Sequence, residues 1–141
     1  MVKKKEKPKT ILTVGKRKNA VARAKIVAGN GKIKINSIPL EVWGNEFLRM
    51  RVTEPLILAG DLVKKVDIDV NVRSGGTTGQ TEAARMAIAR ALVDFYKSKE
   101  LRQKFISYDR NLLVFDPRRN EPHKPSASKR GPRRHKQRSK R

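Results

Sequence analysis

From Asp116 to Arg141 the chain carries one aliphatic side chain, Ala127, while Pro117, Pro122, Pro125 and Pro132 stand among Lys and Arg. Such a segment cannot bury enough surface to offset the entropy lost on ordering it. Its prolines remove backbone donors and oppose helix, which leaves it extended. Met1–Thr10, with Lys3, Lys4, Lys5, Lys7 and Lys9, is as poor in core-forming residues. Whatever folds must therefore lie between. The chain reads as a basic N-terminal arm over 1–10, one globular body over 11–115 and an extended basic C-terminal tail over 116–141.

Periodicity resolves the body into elements. Ile11–Val14 reads as a short strand. Ala22, Ala24 and Ile26 alternate with Arg23, Lys25 and Val27, a second strand. Gly29-Asn30-Gly31 offers the positive-φ residues of a tight hairpin, with Lys32–Ile35 as the return strand. Pro39–Phe47 reads as a short helix. Thr53-Glu54-Pro55 reads as the start of another, with Thr53 as N-cap and Pro55 in the first turn, ending near Gly60. Val66, Ile68, Val70 and Val72 alternate with Asp67, Asp69, Asn71 and Arg73, a half-buried strand. A Gly/Thr loop, Ser74–Gly79, leads into a helix over Gln80–Tyr96. Its Ala84, Ile88, Ala91, Leu92 and Phe95 form a narrow apolar stripe suited to close packing on a sheet, with Arg85, Arg90, Asp94 and Lys97 elsewhere. A helix over Leu101–Ser107 and a strand over Leu112–Phe115 complete the body. Interleaved strands and helices predict an α/β (α+β) two-layer sandwich, helices on one face of a sheet.

Charge decides the class of partner. A formal net charge of +22 on 141 residues repels itself unless a polyanion neutralises it. Nucleic acid presents the regular phosphates that Lys and Arg meet best. A membrane is the rival polyanion, but no stretch is long and apolar enough to span a bilayer, and no apolar segment follows Met1–Lys9 as a signal peptide requires. The chain has no cysteine, which removes disulfides, thiolate metal sites and thiol nucleophiles. His123 and His135 both lie in the tail, and nothing resembles a catalytic triad or a carboxylate pair for glycoside hydrolysis. Asp67 and Asp69 share a strand face, but without a His or third carboxylate at metal-site spacing they read as surface acids facing Lys or Arg. No enzyme activity, cofactor or small-molecule substrate is expected.

Three groups of residues can bind phosphate. Gly15-Lys16-Arg17-Lys18, with Arg23 and Lys25 close behind, lies where the first strand hands over to the second, and reads as a loop gripping phosphates. Ser74–Gly79 feeds a helix N-terminus, where free amides favour an anion. A nucleotide loop would need Gly-Lys-Ser or Gly-Lys-Thr, and no Lys is present. Two readings stand side by side there: contact with a nucleic-acid backbone, or a plain strand-to-helix turn capped by Thr77 or Thr78. The third group is the tail beyond Pro117, where Arg118, Arg119, Lys124, Lys129, Arg130, Arg133, Arg134, Lys136, Arg138, Lys140 and Arg141 face one acid, Glu121. Neutralising about six to ten phosphates would make binding fall by about 10³–10⁵ from low to moderate salt. With aromatics at 5% of residues, stacking is not the expected mode.

Gly15-Lys16-Arg17-Lys18-Asn19-Ala20-Val21-Ala22-Arg23 resembles the opening signature of the small-subunit ribosomal protein S-nine family. The Gly-x-Gly turn ending in Ile35-Asn36, Glu54-Pro55-Leu56, Gly75–Gly79 with Gln80, Ala83, Ala84, Arg85 and Ile88–Leu92, Asp116-Pro117-Arg118-Arg119 and the terminal Ser139-Lys140-Arg141 continue the resemblance. Glu121–Pro125 and Gly131-Pro132-Arg133 are similar to the archaeal branch, although Tyr is commoner there at the place of Lys140. The resemblance implies the sandwich of the second domain of ribosomal protein S-five, including a left-handed strand–helix–strand crossover. It implies a structural protein of the cytoplasmic small ribosomal subunit, bound in the subunit head to ribosomal RNA beside neighbouring head proteins. The residues facing that RNA would be Lys16, Arg17, Lys18, Arg23, Gly75, Gly76, Thr77, Gln80, Arg85, Arg118, Arg119, Lys124, Lys129, Arg130, Arg133, Arg134 and Lys136. Arg138, Ser139, Lys140 and Arg141 would reach the anticodon stem-loop of the peptidyl-site transfer RNA. A chromatin-type DNA packer would share the charge and tail but prefer duplex DNA. A subunit of a tRNA-processing ribonucleoprotein can share the fold but carries an Arg-rich helix where this chain has an Ala-rich one. A phosphotransfer enzyme would bind nucleotide at Ser74–Gly79.

Overall fold

A computed structural model describes residues 9–120, 122 and 124. In chain order the elements are β1 (Ile11–Arg17), β2 (Ala20–Ala28), β3 (Ile33–Ile35), β4 (Ile38–Pro39), a 3₁₀ turn (Leu40–Val42), α1 (Glu46–Ala59), a 3₁₀ segment (Gly60–Lys65), β5 (Val66–Arg73), α2 (Thr77–Tyr96), α3 (Lys99–Tyr108) and a last 3₁₀ turn (Arg110–Leu112). The strands form one five-stranded mixed sheet in the order β1-β2-β5-β3-β4. Alternate residues of β2 (Ala20, Ala22, Ala24, Ile26) and β5 (Val66, Ile68, Val70, Val72) are buried, and the residues between them are largely exposed. One face of the sheet is therefore covered and the other open, the α+β layering that the alternation implied.

The Gly29-Asn30-Gly31 turn does not make a hairpin. β5 inserts between β2 and β3, running antiparallel to β2 and parallel to β3. Length decides the competition: β5 pairs with β2 from Val21 to Ala28, whereas β3 has only three residues to offer. The turn instead wraps the start of β5. Gly29 N donates to Lys65 O and Gly31 N to Val66 O, while Asp67 Oδ1 accepts from Asn30 N (2.8 Å) and Lys32 N (2.9 Å). Gly31, at φ +87°, supplies the left-handed step.

Other local expectations also shift. Pro39–Phe47 is not a helix: Pro39 lies in β4, the 3₁₀ turn follows, and Gly44 at φ +57° breaks the chain before α1. Thr53-Glu54-Pro55 sits in the middle of α1 rather than at its start. An interior proline forgoes the bond its missing N–H would have given to the Arg51 carbonyl. Burial of Val52, Pro55, Leu56 and Ala59 holds the helix through it, and Thr53 Oγ1 donates to Arg49 O (2.7 Å) instead of capping. The end at Gly60 is as expected, with Gly60 at φ +58°. α2 begins at Thr77, so Thr77, Thr78 and Gly79 are helical and Gly76 is the N-cap. No strand forms over Leu112–Phe115; Leu112 closes a 3₁₀ turn and is buried.

The Ala-rich stripe does what its small residues permit. Gly15 of β1 lies so close under α2 that an added Cβ would overlap the Ala83 carbonyl and stand 2.6 Å from Ala87 N. Thr13, buried beside it, donates from Oγ1 to Ala87 O (2.9 Å). Around this seam Ile26, Ile35, Ile68, Ile88, Leu92 and Phe105 fill the core. Phe105 reaches it from α3, whose N-cap Ser98 accepts from Leu101 N.

Candidate nucleic-acid interface

β1 runs on through Gly15, Lys16 and Arg17, and a two-residue turn, Lys18-Asn19, leads into β2. The basic cluster is thus the end of a rigid hairpin rather than a loop. Lys18 stands on the turn at φ +52° and is exposed. Against this end lies the Gly-rich loop. Gly75, at φ +74°, packs on Ala20, leaving 2.9 Å between an added Cβ and that residue's N and Cβ atoms. Gly76 has open space where a side chain would be. No side chain caps α2, so neither Thr77 nor Thr78 does so, and the helix starts from Gly76 without a side-chain cap. Gln80 braces the loop, with Nε2 donating to Ser74 O (3.3 Å).

The open face of the sheet carries further cations that register brings together. Lys16, Val21 and Arg73 form one cross-strand row, Val14, Arg23 and Asn71 the next, and Leu12, Lys25, Asp69 and Lys34 a third. Lys16, Arg23, Lys25, Lys34 and Arg73 are all exposed. Lys25 was grouped with the first basic cluster, whereas Lys34 and Arg73 were missed as site residues. The signal that finds them is parity: they share the alternation phase of Arg23, opposite to the buried alanines and valines. Asp69 sits between Lys25 and Lys34, as expected of a surface acid. Asp67 does not face a cation first; its carboxyl is held below the ordinary range by the Lys32 and Asn30 amides. Among the described residues no group of three or more His, Cys, Asp or Glu converges as a metal site would.

Arg85 requires correction. It is not on a solvent-facing side of α2 but buried, 3% exposed, with Nη1 on Asp109 Oδ2 (2.9 Å), Nη1 near Glu82 Oε2 (3.4 Å) and Nη2 against Glu54 Oε2. Burial alone would lower its pKa, but the Asp109 hydrogen bond and the charges of Glu54, Glu82 and Asp109 outweigh it and hold the guanidinium above its ordinary value. Arg51 extends the network to Glu54 and Glu82. Arg85 is a buried structural clamp within the body.

The described start of the tail returns to the hairpin end. Arg17 Nη1 pairs with Asp116 Oδ2, and Arg118 donates to the same carboxylate from Nε and Nη2 (2.9 Å for Nη2). Arg118, Arg119 and Lys124 are exposed. Lys129, Arg130, Arg133, Arg134, Lys136, Arg138, Ser139, Lys140 and Arg141 lie outside the described residues, as do both histidines.

A sheet covered on one face, with rows of cations across the other and a strongly basic segment leaving its corner, defines an α+β protein built to lie against a polyanion. Residues 15–141 match the family described as Ribosomal protein S9/S16. The chain is 50% identical over 131 residues to the small ribosomal subunit protein uS9 of Methanococcus vannielii, covering 93% of this chain and 98% of that one. It is 53% identical over 120 residues to the protein of the same name from Pyrobaculum aerophilum, covering 85% and 84%. The chain belongs to the ribosomal protein S9 family, and these relatives are of the archaeal kind that its tail resembled.

Proposed function

We propose that the chain is a structural, non-enzymatic constituent of the small ribosomal subunit, bound to ribosomal RNA and to neighbouring proteins of the subunit head. The observation that carries this reading is the family match over residues 15–141, which spans the cationic hairpin end, the open sheet face and the basic tail together. The body presents Lys16, Arg17, Lys18, Arg23 and Arg73, the Gly76–Thr77 amides, Arg118, Arg119 and Lys124 to RNA backbone. RNA duplexes are met largely by shape and phosphate, which suits cations on a stiff sheet. Arm, body and tail keep the division given by composition. Lys129, Arg130, Arg133, Arg134 and Lys136 continue the phosphate contacts, and Arg138, Ser139, Lys140 and Arg141 reach the anticodon stem-loop of the peptidyl-site transfer RNA. The parallel pair β3 and β5, joined through α1, suits the S-five second-domain fold.

Gradient sedimentation of a native lysate with and without ribonuclease tests the first part. The protein should travel with the small subunit at moderate salt and move to light fractions after ribonuclease. Light fractions throughout, or co-migration with DNA regardless of ribonuclease, would exclude the ribosomal reading. Subunits reconstituted with a chain lacking Ser139–Arg141 test the second part: assembly should proceed and peptidyl-site transfer-RNA retention on filters should weaken.

A further inference from the structure

We infer that Asp116 is a positioning residue that fixes where, and in which direction, the basic tail leaves the body. Its side chain is 9% exposed, although Pro117, Arg118, Arg119 and Asn120 beyond it are exposed. It is held from both sides: Arg17 of β1 pairs with Oδ2, and Arg118 returns to it with the backbone N (3.0 Å), Nε (3.1 Å to Oδ2) and Nη2 (2.9 Å). The residue before it is also anchored. The Phe115 ring lies 4.7 Å from the Arg90 guanidinium, and Arg90 donates to Val14 O (2.9 Å). β1 and α2 thus grip the chain at its last two positions before the cationic run.

Electrostatics gives this grip its purpose. In a protein of net charge +22, a basic tail is pushed off a basic body wherever nothing opposes the repulsion. A carboxylate between Arg17 and Arg118 converts repulsion into attraction at the point of departure. The tail therefore starts beside Lys18 and the amide end of α2, across a cleft of about 330 Å³ bounded by Lys18, Thr78, Gly79 and Arg118. The cations of the hairpin end and of the tail become one continuous track instead of two separate patches. The residue pair also fixes the origin from which the tail's length is measured out.

The chain has no cysteine, so Ser107→Cys and Asn120→Cys give two unique spin-label sites on α3 and on the tail start of the full-length protein. Pulsed electron spin measurements should show a narrow distance distribution in this parent. Asp116→Asn, nearly isosteric, should broaden it and move its mean outward, and Arg17→Gln should do the same from the body side, with unfolding midpoints close to the parent's. Distributions unchanged in both variants would overturn the inference. Its functional arm rests on the transfer-RNA reading above. In reconstituted subunits Asp116→Asn should weaken peptidyl-site transfer-RNA retention about three- to tenfold, because a looser tether lowers the effective concentration of the tail tip. If deleting Ser139–Arg141 leaves retention unchanged while Asp116→Asn still broadens the distances, the transfer-RNA reading fails and the positioning role stands.

Discussion

Two aspartates two residues apart on β5 do different things because of what the fold brings to each. Asp69 lies between Lys25 and Lys34 across the sheet. Asp67 accepts two backbone amides and keeps the Gly29–Lys32 turn seated on the start of β5. Those amides, Lys32 first and then Asn30, lower its pKa from the ordinary 3.8. A carboxylate with a depressed folded pKa contributes stability that is fully present above the unfolded value and is lost as pH falls through the folded one. At neutral pH the parent should therefore melt above Asp67→Asn, and the gap should close as pH falls below 3.8. Thermal melts of both proteins across that range check it, and a gap independent of pH would count against the role. The sequence shows that both side chains share a face, since alternation is local. It does not show which one meets amides, because the partners of Asp67 lie more than thirty positions upstream and arrive only through the strand order.

Among the elements, α2 was the most legible and also the most misleading. Its apolar stripe and its fit against a sheet follow from Ala84, Ile88, Ala91 and Leu92. Its Arg85 was placed on the wrong side, because Thr81 and every residue from Ala83 to Ala89 are buried and α2 has no open face along that stretch. α1 and the Asp109 turn cover what the β-sheet does not. Arg85 is the centre of that cover, tying Glu54 of α1, Glu82 of α2 and Asp109 beyond α3. Replacing it by Met leaves Asp109 without its cation and Glu54 and Glu82 with Arg51 alone. Breaking a buried pair in this way costs about 3 kcal/mol, so Arg85→Met should lower the urea midpoint accordingly. The affinity of the folded variant for RNA should stay at the parent's value. A large loss of affinity at unchanged stability would return Arg85 to the interface. The α1 boundary failed for a related reason: Thr-Glu-Pro marks a first turn by local chemistry, and tertiary burial of Pro55 overrides it.

At the scale of the whole molecule, composition alone suggests the division into arm, body and tail, because burial needs apolar residues and past Phe115 the one aliphatic side chain is Ala127. The cations of the body required the register, which sorts Lys25 and Arg73 onto the same open face as Arg23. Each phosphate neutralised contributes about 0.7 (single strand) to 0.9 (B-form duplex) to the slope of log affinity against log salt. Lys25→Glu with Arg73→Glu should therefore reduce that slope by about two in binding titrations on the RNA of the subunit head. An unchanged slope would mean that the open face points away from RNA. The strand order has a further consequence that belongs to time rather than to space. A ribosome releases the chain from its N-terminus, and domains fold as their residues emerge. β2 and β3 are made early, yet the strand that joins them, β5, follows α1. Until it emerges, each keeps an unpaired backbone edge facing a gap, the kind of edge that recruits other chains. The sheet therefore cannot close until β5 follows α1 out of the ribosome.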